Sequence, residues 1–358
     1  MTDLPRGRKK KWPVAVLGAT GAVGQMFVRM LQNHPWFELT ELAASERSAG
    51  KKYGEVTRWL EGDPPVKGVS SRRVIACDPG VVSAPIVFSA LDAAVAGEVE
   101  LAFARAGKFV LSNAKNFRME PDVPLVIPEV NGDHLALLEC QRRNRGWPGA
   151  IVTNANCSAT VAAVALAPLH QRYQIRQLFL STMQAVSGAG YPGVPSWDIL
   201  SNVIPYIGGG EEEKVETETQ KILGSLVGGK VNPHPARVSA TTTRVPVPNG
   251  HTGSIAVGLS QKPSLDAIIG AWTSFRGRPQ TLELPSAPPQ PIVYLREDNR
   301  PQPALDANRD GGMTVTAGRL RLCPVLGYKF VALGHNTIRG AAGAAILNAE
   351  LMHREGLL

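Results

Sequence analysis

Over its first third the chain alternates short apolar runs with amphipathic stretches, a pattern that predicts a parallel sheet covered by helices. VAVLGA (Val14 to Ala19) reads as a buried strand, and GQMFVRMLQNHP as a helix stopped at Pro35. FELTELAA follows as a second strand. IVFSAL (Ile86 to Leu91) is a third, GEVELAFARAG a helix ended by glycine, and KFVLSNA the next strand. From Gly149 the pattern changes. A helix, TVAAVALAPLHQRY, leads into QLFLSTMQAV and SIAVGLSQ, whose alternation suits a sheet buried on one face. Residues 279–303 are proline-rich and are expected to form an extended loop. The final NTIRGAAGAAILNAELMHREG reads as a narrow helix able to pack closely.

A length of 358 residues favours two domains. With 44% hydrophobic and 19% charged residues, the chain has ample material for a core, which excludes global disorder. Four scattered cysteines, without a C-x-x-C pair, point to a reduced, cytoplasmic protein. The apolar run VAVLG is too short for a signal-peptide core or a membrane span, so no membrane partner is expected. The net charge is +8, but five of the basic residues lie in the tail RGRKKK. Beyond residue 11 the chain carries 33 Lys and Arg against 29 Asp and Glu. That balance suits phosphate-bearing small molecules, and the tail, residues 1–11, reads as a solvated terminus rather than a nucleic-acid site.

GATGAVG, from Gly18 through Gly21 to Gly24, stands where the first strand hands over to the first helix. Glycines there let the backbone turn and approach a pyrophosphate, while the helix N-terminus favours its charge. The spacing is G-x-x-G-x-x-G, and no Lys-Ser/Thr follows, so a P-loop is excluded. A tight turn with no ligand has the same composition. After the second strand, Ser45, Arg47 and Ser48 suit a 2′-phosphate better than the acidic residue that would hold a 2′-hydroxyl, and Glu46 argues the other way. NADP is expected over NAD.

Cys157 lies in TNANCSATV at the start of a predicted helix, between the polar Asn156 and Ser158. A helix N-terminus lowers a thiol's pKa, and its N–H groups can receive an oxyanion. Cys77, Cys140 and Cys323 read instead as small packed hydrophobes. His251, between a turn and a strand, is the best proton-transfer partner, whereas His34, His170 and His353 read as surface groups. No histidine or cysteine spacing makes a metal site. By charge pattern alone GGGEEEK reads as a solvated helix face and Arg244 as a surface strand residue.

Taken together, GATGAVG, SERSAGK, FSALDA, SNAKNFR, NANCSAT, QAVSGAGYPG, PYIGGGEEEKVETE, RVPVPNGHTGSI and HNTIRGAAGAAILNAE resemble aspartate-semialdehyde dehydrogenases of the archaeal and fungal type, in order from Gly18 to Glu350. The resemblance implies an α/β chain: a Rossmann-like NADP-binding domain over 12–155, completed by 336–358, and an α+β catalytic and dimerisation domain over 156–335 with a largely antiparallel or mixed sheet. It implies Cys157 as the acylated nucleophile, His251 as acid/base, and Gln184 as the group that orients the carbonyl or the imidazole. Arg244 is implied to hold the substrate α-carboxylate, Glu211 its amino group, with Glu212 and Glu213 as competitors, and Lys214 its phosphate. Asn116 and Arg118, with Lys115 nearby, match the phosphate segment, and Asn156 is expected to steady the oxyanion. Gly18, Thr20, Gly21, Ala22, Val23, Gly24, Ser45, Glu46, Arg47, Ser48, Ser89, Leu91, Gly188 and Asn336 match cofactor positions.

The implied reaction is NADPH-dependent reduction of L-aspartyl-4-phosphate to L-aspartate 4-semialdehyde through a cysteine thioester, with phosphate released. Its product is a precursor of lysine, methionine and threonine, and the expected assembly is a homodimer or homotetramer. A malonyl-CoA reductase-like enzyme is the nearest rival, since a CoA thioester needs neither GGGEEEK nor SNAKNFR in that form. N-acetyl-glutamyl-phosphate reductase has a different nucleophile motif. A non-catalytic NADP-binding regulator would have no use for the set Cys157, Gln184, Arg244 and His251.

Overall fold

The computed structural model describes residues 11–62 and 67–358. All of the expected basic tail except Lys11 lies outside the described residues. The first sheet contains β1 (Trp12–Leu17), β2 (Phe37–Ala44), β3 (Ile75–Ala76), β4 (Ile86–Ser89), β5 (Phe109–Ser112) and β6 (Ala150–Thr153), in the order β3-β2-β1-β4-β5-β6. Every pairing is parallel. Helices cover both faces, so the central strands bury both sets of side chains and read as unbroken apolar runs. Between β1 and β4 the strand order reverses direction, opening a crevice at their C-terminal ends where nucleotides bind in such sheets.

The second sheet is built from β7 (Ile175–Gln184), β10 (Arg237–Arg244), β11 (His251–Leu259), β12 (Ile292–Leu295), β13 (Val315–Cys323) and β14 (Gly327–Gly334). A separate hairpin, β8 (Ser225–Val227) with β9 (Lys230–Asn232), lies outside it. The order is β10-β7-β11-β14-β13-β12, parallel at its two outer pairings and antiparallel within, so the sheet is mixed. The helix Cys157–Tyr173, the cysteine helix, connects the two sheets and is buried from Ser158 to Leu169. Its small alanines allow close approach to the sheet, while Val161, Val164, Leu166 and Leu169 fill the core with Ile255, Val257 and Trp272.

Two expectations need correcting. The proline-rich segment is not wholly a loop: Arg278–Thr281 is a short helix, and the β-branched residues of IVYL form β12 at the sheet edge, where neighbouring prolines are tolerated. His34 is not a surface group. It is 6% exposed, because its Nδ1 accepts the N–H groups of Trp36 and Phe37 and its Nε2 meets Glu350 Oε1 at 2.6 Å. His170 and His353 are half-buried. Glu350 belongs to the closing helix, Gly343–Arg354, which packs Ala345, Ile346, Leu347, Leu351 and Met352 into the core of the first sheet. A turn of π-helix at Ile338–Ala342 precedes it, a form concentrated at functional sites. The buried, bidentate pair Arg339 to Glu129 (2.9 and 2.7 Å) fixes that turn.

Candidate active site

β6 ends at Thr153, and three residues later Asn156 caps the cysteine helix, its Oδ1 accepting from the N–H groups of Ser158 (2.9 Å) and Ala159 (3.2 Å). Such a cap stabilises a helix by about 1 kcal/mol and leaves Cys157 as the first helical residue. A glycine allows the thiol its place. A Cβ on Gly340, in the π-helical turn, would stand 2.6 Å from Cys157 Cβ.

Facing the cysteine are the ends of three neighbouring strands of the second sheet. Gln184 closes β7 and lies in register with Arg244, the last residue of β10, while His251 opens β11. Parallel pairing therefore brings Gln184 and Arg244 to one edge despite their separation in sequence. Arg244 is 6% exposed and donates to Ala185 O at 2.8 Å, so it is not a surface strand residue.

The helix Glu211–Ile222, the acidic helix, supplies the next wall. It follows Gly208, Gly209 and Gly210, all with positive φ (38°, 65° and 72°), a path that side chains with a Cβ rarely follow. Glu211 Oε1 accepts from Asn156 Nδ2 (2.8 Å) and Gln184 Nε2 (3.2 Å), and Lys214 Nζ pairs with its Oε2 at 3.3 Å. Among the three glutamates, Glu211 faces the cleft, whereas Glu212 is turned to β10, accepting from the Thr242 N–H.

Cys157, Gln184, Arg244, Glu211 and Lys214 line one cleft of about 420 Å³ with Lys115, Arg118, Gly188 and Asn336, whereas His251 lies against Gly188 and is not part of that lining. Arg118 donates from Nη1 to Glu218 (2.9 Å) and from Nη2 to Asn113 O (2.8 Å). Asn116 stands elsewhere: it is exposed and donates to Ala93 O at 2.9 Å, while Asn113 takes the place on the cleft wall. The other end of the cleft is made of Val23, Ala90 and Leu91. Ser89 is fully buried, one residue short of the cleft.

The glycine loop fits an anionic dinucleotide. Gly18 has φ 73° and lies so close to β4 that a Cβ would meet Ala90 O at 2.7 Å. The first helix, Ala22–Leu31, starts at Gly21 with no side-chain cap and no acidic residue in its first turn, which leaves its N-terminus open to a phosphate. Ser45, Glu46 and Arg47 are exposed beyond β2, in a turn where Ser45 O accepts the N–H groups of Ser48 (2.9 Å) and Ala49 (3.2 Å). Thr20 and Ala22 stand on either side of Gly21 within the loop, and Ala22 lines an adjoining cavity. Among the described residues no cluster of His, Cys, Asp or Glu has the makeup of a metal site.

The electrostatics run against the expected thiolate. Although half-buried at the cleft floor, the Cys157 thiol is pushed up to about 12, first by burial and then by the Glu211 carboxylate, against Arg118, Arg244 and the Ser158 N–H. Burial and the Glu211 carboxylate thus favour the protonated thiol over the thiolate expected at a helix N-terminus. Two of the first-turn N–H groups, those of Ser158 and Ala159, are held by Asn156 Oδ1. His251 is 1% exposed, and its pKa falls to about 3 through burial and the neighbouring Arg244 and His335. Its Nδ1 accepts the Ala185 N–H at 3.1 Å, so the neutral ring carries its proton on Nε2, which has no hydrogen-bond partner. Gly188 covers the ring, and a Cβ there would meet both Nε2 (3.0 Å) and Arg244 Nη1 (2.7 Å).

Comparison with known proteins finds relatives along almost the whole chain. Residues 13–138 match the model of the semialdehyde dehydrogenase NAD binding domain, and 166–339 that of the semialdehyde dehydrogenase dimerisation domain. The chain is 53% identical over 343 residues to the aspartate-semialdehyde dehydrogenase of Methanothermobacter thermautotrophicus, covering 95% of this chain and 98% of that one. It is 47% identical over 355 residues to that of Schizosaccharomyces pombe, covering 96% and 99%. Among solved structures, aspartate semialdehyde dehydrogenase with NADP from Candida albicans superposes with a TM-score of 0.89 at 41% identity, over 97% of this chain and 100% of that one. Aspartate semialdehyde dehydrogenase II of Vibrio cholerae, complexed with ASA, gives 0.77 at 28% identity, over 97% and 99%.

Proposed function

The chain belongs to the aspartate-semialdehyde dehydrogenase family, and from that membership we propose that it catalyses the NADPH-dependent reductive dephosphorylation of L-aspartyl-4-phosphate to L-aspartate 4-semialdehyde. The observation that carries this reading is a single cleft that joins the glycine loop to a cysteine ringed by Arg118, Glu211, Lys214 and Arg244. A substrate with an α-carboxylate, an α-amino group and an acyl phosphate presents two anionic ends and one cationic group. The cleft holds cations and a carboxylate to match them.

In the proposed reaction the sulfur of Cys157 bonds to the acyl carbon, the carbon–oxygen bond to phosphate breaks, the thiol proton passes to the leaving oxygen, and hydrogen phosphate departs toward Arg118 and Lys214. Arg244 binds the α-carboxylate with its planar fork, and Glu211 the amino group. Forming that pair draws the Glu211 charge toward the substrate, which relieves its hold on the thiol proton. When bound, NADPH supplies hydride to the thioester carbon. Released from Glu211 Oε1 as that carboxylate turns to the amino group, Gln184 and Asn156 donate to the oxygen that gains charge, and the sulfur then leaves as the aldehyde forms. For His251 to carry a proton to that sulfur, the Ala185 N–H must release Nδ1, a change that a shift of the turn bearing Gly188 would also uncover. Splitting the reduction through a covalent thioester replaces one hard step with two easier ones.

We further assign the protein to the cytoplasm, in keeping with a free thiol nucleophile. Among the described residues no helix is long and apolar enough to cross a membrane. A homodimer or homotetramer is supported by the dimerisation-domain match and by the exposed Phe179, Met183, Trp197 and Tyr206 of the second domain. The test is chemical. Incubation with semialdehyde and NADP without phosphate should add an aspartyl group to the peptide containing Cys157, read by mass spectrometry, with none in Cys157→Ser. Rapid NADPH oxidation by malonyl-CoA and none by aspartyl phosphate would reverse the assignment.

A further inference from the structure

The acidic helix carries more charge inward than its first turn. Glu211, Lys214, Glu218 and Lys221 follow at intervals of three or four residues and therefore share one face. The first two meet the cleft. The second two meet the protein beneath it, and both are buried, at 1% and 4% exposed.

Glu218 uses each of its oxygens differently. Oε1 accepts from Arg118 Nη1 at 2.9 Å, and Oε2 accepts from the backbone N–H of Asn156 at 2.5 Å. Arg118 is the cation at the phosphate end of the cleft, and Asn156 caps the helix that begins with Cys157. Lys221, one turn on, donates its Nζ to the carbonyls of Arg118 (2.7 Å), Glu120 (2.8 Å) and Val123 (3.0 Å), which anchors the segment bearing Arg118 from the other side. Because both oxygens of Glu218 face donors, the ionised, acceptor-only form fits here, against burial and the nearby Glu211, which push its pKa up.

We propose that Glu218 is a positioning residue for the reaction: one buried carboxylate fixes the distance between the phosphate-binding guanidinium and the cap of the nucleophile's helix, so that leaving group and sulfur are aligned together. This rests on the reading that phosphate is the leaving group at Arg118. The role has a chemical signature. An amide at 218 has the same shape but only one acceptor oxygen, so its NH2 group must face either Arg118 or the Asn156 N–H, and one contact is lost.

The experiment measures the reverse reaction, with semialdehyde, phosphate and NADP, in Glu218→Gln and Glu218→Asp. A hydrogen bond to a charged partner is at stake, so the KM for phosphate in Glu218→Gln should rise about 10- to 100-fold. The KM for NADP should stay as in the parent, and Glu218→Asp, which keeps both acceptors, should recover part of the loss. Added to Arg118→Lys, Glu218→Gln should raise the phosphate KM no further, because the two residues act as a unit. An unchanged phosphate KM in folded Glu218→Gln overturns the proposal, as does an equal rise in the KM for NADP or full additivity with Arg118→Lys. If Glu218→Gln does not fold, an unchanged phosphate KM in Glu218→Asp overturns it equally. Absence of phosphate-dependent turnover in the parent enzyme would instead sink the functional reading beneath it.

Discussion

The two ends of the cleft are built from different materials. At the NADP end, behind Val23, Ala90 and Leu91, the framework is backbone: Gly18 against Ala90, Gly21 at an uncapped helix start, and Gly24 packed on the Gly18 carbonyl. At the cysteine end they are charged and amide side chains held by one another, through contacts such as Arg118 to Glu218, 100 residues apart in sequence, and Asn156 to Glu218, 62 apart. The contrast follows from what each end must recognise. A pyrophosphate is satisfied by N–H groups and a helix dipole, whereas a small amino acid with three charged groups needs a separate partner for each.

If that division is right, each end should break separately. The largest effect belongs to the sulfur: Cys157→Ser should lower turnover by on the order of 10⁵-fold or more while NADP affinity, measured by fluorescence titration, is retained. Gly340→Ala comes next. Its Cβ would press on Cys157 at 2.6 Å, and a misplaced nucleophile should cut kcat on the order of 10²-fold with the KM for NADP unchanged. Gly24→Ala is the converse, since its Cβ collides with the Gly18 carbonyl and strains the loop by roughly 1–3 kcal/mol. The KM for NADP should rise about tenfold or more, with kcat at saturating cofactor near that of the parent. A fall in kcat alone for Gly24→Ala, or in NADP affinity alone for Gly340→Ala, would erase the contrast.

The smallest effect is on stability. His251, His170 and His335 are held below the ordinary 6.5, near 3, 4 and 4, chiefly by burial. The unfolded chain takes up these protons as pH falls below 6.5, while the folded chain does not until much lower, so stability is lost on acidification. Calorimetry at about pH 7 and about pH 5 should show a lower Tm at the acid end, and replacing His251 with Asn should flatten that slope. An unaltered slope would mean that His251 binds its proton equally well in the folded and the unfolded chain.

The same contrast explains what could be read from the sequence. Backbone features are written locally: GATGAVG, the helix stop at Pro35 and the alternation of β7 are each visible in a window of a dozen residues. Cys157 was legible because its cap, Asn156, is its neighbour. Its ionisation was not, because burial and Glu211 come from other elements. Glu218 and Lys221 carry the same i, i+3, i+7, i+10 spacing as Glu211 and Lys214, a signal present in EEEKVETETQK but indistinguishable from a solvated face until Arg118 is brought against it. Asn113 was eclipsed by Asn116, three residues along one loop, where only the course of the backbone decides which side chain meets the cleft.

The main chain passes between its two sheets at β6 into the cysteine helix and again at β14 into the π-helical turn, and these crossings touch where Gly340 meets Cys157. Both passages of the chain therefore press on one place, and the sulfur's position is set jointly by the end of the first sheet and the end of the second.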